Sequence, residues 1–221
     1  MKVYAFSDVH MGTTANYDRF HKFLDRVQAE KPDWLIGCGD VFELVWEKNL
    51  DDILSWGPSR EAFDHLKSVA KSVKTVLIVG NHDRDLSKYR EQLEPAEIRS
   101  EYSADRVHYV HGYDFDPVEK NIWRRILGTP LKKCAPWLYR RIWGTPFELK
   151  KRGKDKNYSK LVGTIEANLQ LWAEGRSVVF GHTHSEFVKF RKNQFIANAG
   201  DFYDSCSYLV ITDGKPELHW I

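Results

Sequence analysis

The stretch TVLIVGNHDRD, Thr75 to Asp85, joins a run of β-branched and aliphatic residues to a glycine and then to an amide, an imidazole, two carboxylates and a guanidinium. A run as short as Thr75–Val79 bounded by glycine reads as a buried strand, and the polar cluster behind it as the loop that the strand delivers. The same grammar recurs along the chain. Lys2–Phe6 ends at SDVH, Trp34–Cys38 at GDVFE, Val107–Val110 at HGYD and Ser177–Phe180 at GHTHS. Each of these five runs hands a set of polar side chains to the loop at its carboxyl end.

Helical patterns lie between the early runs. Tyr17–Glu30 puts Tyr17, Phe20, Phe23, Leu24 and Val27 on one face and is closed by Pro32; Arg60–Lys71 places Phe63, Leu66 and Ala70 in the same way. The order strand, helix, strand, helix, strand predicts an α/β layered sheet. Toward the end, Phe187–Phe190, Gln194–Ala197, Tyr208–Ile211 and Glu217–Ile221 read as short strands of an antiparallel meander. Tyr158–Ala173 reads as a helix with Leu161, Ile165, Leu169 and Trp172 inward.

Composition narrows the class. With 42% hydrophobic and 29% charged residues, the 221-residue chain can bury a core and does not read as disordered. Its apolar runs are too short to span a bilayer, and MKVYAFSD lacks the apolar stretch of a secretory signal. Three scattered cysteines, Cys38, Cys134 and Cys206, suit neither a disulfide framework nor a zinc knuckle, so a reducing cytoplasm is the expected location. The net charge of +2 conceals an asymmetry, because Lys120 to Lys156 carries a net +10 inside a body of −8. That pattern predicts an anionic or membrane-surface partner at one place.

Asp8, His10, Asp40, Asn81, His82, His111, His182 and His184 all fall in the polar clusters. Carboxylate, imidazole and amide donors without a thiolate suit a divalent cation of the Mn, Fe or Zn type, not a structural zinc. In open α/β sheets ligands bind where strands deliver their carboxyl ends. Asp8 and His10, and likewise His182 and His184, are two apart and share a face, so each pair is expected to converge on one side of the sheet.

D-x-H, G-D, G-N-H-D, H-G and G-H-x-H, in that order, resemble the calcineurin-like metallophosphoesterase superfamily. The match spans Met1 to about Gly112 and again Tyr158 to Thr212. The resemblance implies a sandwich of two β-sheets flanked by helices, with two metals at the sheet edge. Asp8, His10, Asp40 and His184 would hold one ion, and Asp40, Asn81, His111 and His182 the other, with Asp40 bridging. Two ions roughly 3.5–4 Å apart can generate hydroxide near neutral pH and clamp both oxygens of an in-line phosphoryl displacement. Mn2+ is the first expectation, with Fe, Zn, Ni or Co as alternatives. His82 would assist the leaving oxygen, an effect of about 10²–10⁴-fold for such groups. Asp83 would orient His82, and Arg84 would touch a phosphate oxygen. Glu43 is weighed evenly between a contact near the site and a plain loop acid, and Asn198, Gly200 and Asp201 are expected to shape the neighbouring loop.

Within the superfamily, GDVFE followed by Trp46 and the closing NAGDF resemble the branch of UDP-2,3-diacylglucosamine hydrolases, which cleave a pyrophosphate on a lipid-A precursor. That branch carries a helical cap after its H-G block. Here the same position holds Tyr113 to Asn157, so the expectation is one domain over 1–221 with a cap at about 113–157. His82 is a departure: the bacterial hydrolases of that branch carry arginine there, and another nucleotide-lipid or pyrophosphate is an equal candidate substrate. Within the cap, Arg124-Arg125-Ile126-Leu127-Gly128-Thr129-Pro130 returns as Arg140-Arg141-Ile142-Trp143-Gly144-Thr145-Pro146. Two short helices would place Arg124, Arg125, Arg140 and Arg141 beside apolar faces, to hold substrate phosphates and acyl chains or to rest on a membrane surface. Packing of the aromatics onto the core is the competing reading. A general phosphodiesterase or a nuclease gripping a backbone is the functional alternative. An inactive scaffold is disfavoured because every ligand position is filled.

Overall fold

A computed structural model describes residues 1–45, 49–120 and 156–221, with the side chains described from Tyr158 onward in the last segment. Trp46 and the cap arginines Arg124, Arg125, Arg140 and Arg141 lie outside the described residues.

Two sheets stack face to face. The first has strand order β11-β10-β1-β2-β3-β4, from β1 (Lys2–Phe6), β2 (Trp34–Gly37), β3 (Lys74–Ile78), β4 (Glu97–Arg99), β10 (Ser207–Thr212) and β11 (Lys215–Trp220). The second runs β5-β6-β7-β9-β8, from β5 (Tyr102–Ala104), β6 (Val107–Tyr109), β7 (Ser177–Phe180), β8 (Phe187–Arg191) and β9 (Gln194–Asn198). Strands β1 to β4 pair in parallel, as the alternation of strands and helices requires.

Alternation along each strand sorts the core into layers. In β1, Val3 and Ala5 face the second sheet and join Ile36, Val76, Ile78, Tyr109, Val179 and Leu209 between the sheets. Tyr4 and Phe6 face the other way, onto Phe20, Phe23 and Leu24 of α1 (Tyr17–Glu30) and the cluster that includes Phe63 and Leu66 of α3 (Gly57–Ala70). The rings of Phe6 and Phe23 are 5.4 Å apart. On the far side Ile165 and Leu169 of α5 (Lys156–Trp172) cover Val178, Phe180 and Ile196. The result is the helix–sheet–sheet–helix order expected of the sequence. Short helices α2 (Leu50–Leu54) and α4 (Arg90–Leu93) and 3-10 turns at Leu86–Tyr89 and Tyr113–Phe115 complete the described elements.

The C-terminal strands do not form one meander. β8 and β9 make a hairpin on the second sheet, where β9 lies parallel to β7; β10 and β11 make a hairpin on the first, where β10 pairs antiparallel with β1. Alternation alone shows which residues point inward but not which of two sheets a strand joins. The helix α3 also begins earlier than its periodicity indicates, at Gly57 with Pro58 in its first turn, a position where proline's missing N–H costs nothing.

Candidate metal centre

The polar clusters meet at the carboxyl ends of β1, β2, β3, β6 and β7. They do so from loops, not from strand ends: β1 stops at Phe6 and β7 at Phe180, so strand parity does not align Asp8 with His10 or His182 with His184. Each of these four residues, and Asp40, instead takes a left-handed backbone with φ between 51° and 66°. Such conformations cost of order 1–3 kcal/mol each in non-glycine residues and persist where the surroundings over-determine them. The surroundings here are backbone bonds between loops. Asp8 N–H donates to Gly39 O at 3.1 Å, His10 N–H to Asp40 O at 2.9 Å and Gly181 N–H to His111 O at 3.1 Å.

Glycines leave room for the carboxylates. A Cβ on Gly80 would collide with Asp40 Oδ1 and sit 2.5 Å from Asp40 N; one on Gly181 would collide with Ser7 Oγ and sit 2.5 Å from Asp8 Oδ2. The glycines of G-N-H-D and G-H-x-H are therefore the cradle of Asp40 and Asp8. Backbone donors complete the hold, His82 N–H to Asp40 Oδ1 at 2.7 Å and His182 N–H to Asp8 Oδ2 at 2.9 Å.

Three overlapping groups gather ligand atoms within 4.8 Å of one another: Asp8, His10 and His184; His10, Asp40 and His82; Asp40, His111 and His182. Every member is buried or nearly so. The hydrogen-bond chemistry tests whether a cation fits. His111 Nδ1 lies 2.8 Å from the Cys38 carbonyl, so that nitrogen carries the hydrogen. Its Nε2 then points at Asp40 Oδ2, 3.1 Å away, and at Asn81 Oδ1, 3.0 Å away. A lone pair and two acceptor oxygens converge with no hydrogen among them unless the ring gains a second proton. His10 repeats the pattern. Its Nδ1 is 3.0 Å from Glu43 Oε2, while Nε2 has no hydrogen-bond partner and stands 3.7 Å from Asp8 Oδ1 and 3.9 Å from Asp40 Oδ2. Asp8 Oδ1 is also buried without a hydrogen bond. Buried acceptors aimed at one another are the arrangement a divalent cation relieves, so the residues fit the metals expected of them.

The electrostatics of the metal-free centre agree. Burial would push the His111 imidazole down, but Asp40 raises it to about 9. Burial opposes Asp40's ionisation, yet His111 and His82 hold its carboxyl well below the usual range. Protons and cations answer the same excess of negative potential.

The partner of His82 is a correction to the sequence reading. His82 Nδ1 lies 2.8 Å from both oxygens of Glu43, which also holds His10. Asp83 instead accepts backbone N–H groups, from Gly80 at 2.6 Å, Val41 at 2.9 Å and Phe42 at 3.3 Å. Its carboxyl, desolvated and close to Asp40, rises to about 6. Adjacent residues in a tight turn point apart, so a neighbour in sequence was the wrong place to seek a ring partner. Asp201 stands 3.3 Å from His184 Nδ1 and takes the backbone N–H groups of Tyr203, Asp204 and Ser205 at 3.0, 2.7 and 3.1 Å. Asn198 donates to Gly181 O at 2.7 Å and so shapes the GHTHS turn. Arg84 is half exposed, with its guanidinium 5.0 Å over the Tyr113 ring and 3.5 Å from Glu119. The sequence reading passed over Asp116, which is buried with Oδ2 2.9 Å from His182 Nε2; its signal was the carboxylate five residues beyond His111.

The remaining histidines stand apart from the centre. His21 and His65 meet each other, Nδ1 to Nδ1 at 2.9 Å; His108 bonds Ser103 and packs on Trp172; His219 stacks on Tyr208.

Two facing sheets flanked by helices, with a buried aspartate–histidine–asparagine centre at their carboxyl edge, define a metal-dependent phosphoesterase. A family model, calcineurin-like phosphoesterase, matches residues 1–186, and the chain belongs to that family. No protein of curated description matches the sequence. Among solved structures, an archaeal phosphodiesterase superposes with a TM-score of 0.54 at 14% identity, covering 100% of both chains, and shows the same fold. The phosphoesterase Yfce from E. coli follows with 0.49 at 18% identity, covering 96% of this chain and 88% of that one. Vacuolar protein sorting 29 from Cryptosporidium parvum gives 0.48 at 14%, covering 99% and 95%. No helix among the described residues is long and apolar enough to cross a membrane.

Proposed function

We propose that the chain hydrolyses a phosphodiester or pyrophosphate bond on a lipid-linked or nucleotide substrate, with two divalent cations, Mn2+ first among them. Asp8, His10, Asp40 and His184 would hold one cation and Asp40, Asn81, His111 and His182 the other. When bound, such a pair supplies a nucleophile from water at neutral pH and neutralises charge on the phosphoryl oxygens. The observation that carries the reading is twofold: His111 Nε2, Asp40 Oδ2 and Asn81 Oδ1 converge where only an added proton or a cation can join them, and His10 Nε2 and Asp8 Oδ1 are buried without a hydrogen bond.

The chain's own groups do the rest. Asp40, gripped by His82 N–H, keeps its free oxygen toward both sets of ligands. Glu43 engages His82 through Nδ1, which leaves Nε2 as the atom that passes a proton to the leaving oxygen. The His82 side chain is 12% exposed, so the ring is not sealed from solvent. Arg84, two residues beyond His82 and with its guanidinium over the Tyr113 ring, would meet a non-bridging oxygen.

Residues 113–157 form the cap in this reading. Its net positive charge and its tryptophans support a substrate that is both anionic and apolar, with Arg124, Arg125, Arg140 and Arg141 on the phosphates. Peripheral contact with a membrane surface follows from the same composition. The deciding experiment compares Mn2+-dependent turnover of UDP-2,3-diacylglucosamine, an aryl phosphodiester and single-stranded DNA, with Asp40→Ala as the control. Preference for the lipid nucleotide supports the full reading. Preference for DNA with steep salt dependence replaces it with a nuclease. Activity retained in Asp40→Ala would remove the metal assignment.

A further inference from the structure

Four imidazoles face the proposed cations, and each is steadied from behind by a different group. His111 leans on the Cys38 carbonyl, His10 on Glu43 and His184 on Asp201, all through Nδ1. His182 is reversed. Its Nε2 lies 2.9 Å from Asp116 Oδ2, and both side chains are about 1% exposed.

We propose that Asp116 is a positioning residue for the second cation: by taking the Nε2 hydrogen of His182 it obliges that ring to ligate through Nδ1. A buried carboxylate must be satisfied by donors. Asp116 takes Val118 N–H on Oδ1 at 2.7 Å and meets the imidazole with Oδ2. A neutral imidazole that donates from Nε2 presents its lone pair at Nδ1, the nitrogen nearer the backbone. His182 suits that duty because its backbone is already fixed. Its N–H donates to Asp8 Oδ2 at 2.9 Å, its φ is 66°, and its ring meets His111 edge-on at 5.2 Å. A ligand binding through Nδ1 reaches less far from its backbone than one binding through Nε2, so a fixed backbone matters more for it.

The turn that brings Asp116 there is built for it. Gly112, at φ 109°, reverses the chain after His111, and a 3-10 turn follows over Tyr113–Phe115. Phe115 packs on Trp172 at 5.3 Å, and its carbonyl accepts from Asn168 at 3.1 Å. Asp116 N–H closes the turn on Tyr113 O at 3.1 Å. One carboxylate thus ties the segment after His111 to a ligand from the loop behind β7, linking two ligands of the same cation.

The inference rests on the two-cation reading, and the test separates the two. Wild-type protein is freed of metal and titrated with Mn2+, following stoichiometry by calorimetry and coupling between ions by electron paramagnetic resonance. Two ions with a coupled signal establish the reading; none would end it, and the inference with it. Asp116→Asn keeps one acceptor oxygen and cannot serve both the Val118 and the His182 N–H. It should weaken one of the two ions about 10–100-fold and replace the coupled signal by that of isolated Mn2+. His182→Ala should lose the same ion, and the double variant should lose no more. Two ions at wild-type affinity in a folded Asp116→Asn would overturn the role. A readout in the wild type stands independently of how the variants fold. In the Zn2+-loaded protein, long-range 1H–15N spectra should show His182 ligating through Nδ1 and His10 and His111 through Nε2. His182 ligating through Nε2 would overturn the inference.

Discussion

Glu43 holds His82 and His10 together: its Oε2 lies 2.8 Å from one Nδ1 and 3.0 Å from the other, and the two rings meet edge-on at 4.7 Å. A proposed metal ligand and the proposed proton donor therefore share one carboxylate. Burial would raise that carboxyl, but His82 and His10 bring it down to about 2, so it is ionised throughout the working range.

Removing Glu43 should therefore act on the leaving group. Glu43→Gln is expected to lower turnover about 10²-fold on substrates with poor leaving groups and much less on nitrophenyl esters, whose leaving oxygen needs no proton. A series of aryl phosphodiesters of graded leaving-group pKa measures this. An equal loss across the series would assign Glu43 to His10 alone.

Gly80→Ala keeps every charge in the centre yet should empty it. The added methyl takes the place of Asp40 Oδ1, and the Asp40 carboxylate must move. Bound Mn2+ measured after gel filtration should fall well below that of the wild type while the circular dichroism is preserved. Full metal content would show that the turn relaxes instead.

Asp83→Ala should be a stability variant. It leaves the Gly80, Val41 and Phe42 amides without their acceptor inside the protein. An unsatisfied buried amide costs about 1–3 kcal/mol, so an overall loss of at least about 2 kcal/mol is expected. Urea denaturation of the metal-free protein reads it directly, and an unchanged midpoint would contradict the assignment.

The metal-free protein should lose stability between pH 6.5 and 9. His111 sits at about 9 in the folded chain against an ordinary 6.5. A raised histidine contributes stability that is complete below its unfolded value and is lost as pH climbs through its folded one. Glu43 is the opposite case, contributing above its ordinary 4.5 and losing that contribution as pH falls toward 2. Mn2+ competes with the His111 proton, so the rise in melting temperature on adding Mn2+ should grow over the same interval. Thermal melts with and without Mn2+ at each pH test both statements. A metal-free melting temperature that climbs from pH 6.5 to 9 would contradict them.

The sequence by itself determined the five polar clusters, the strands before them, the faces of α1 and α3, and the donor set of the centre. These are local properties, carried by periods of 2 and 3.6 residues and by glycine at the end of a run. Tertiary structure decided which sheet each C-terminal hairpin joins. It decided that Asp8, His10, Asp40, His182 and His184 stand in left-handed turns beyond the strands, where φ and not parity aims them. It also decided what lies behind each ring. Cys38 reaches His111 across 73 residues, Asp116 reaches His182 across 66 and Glu43 reaches His82 across 39. No periodicity spans such distances, because these contacts exist only once the loops at one edge of the sandwich have been brought side by side.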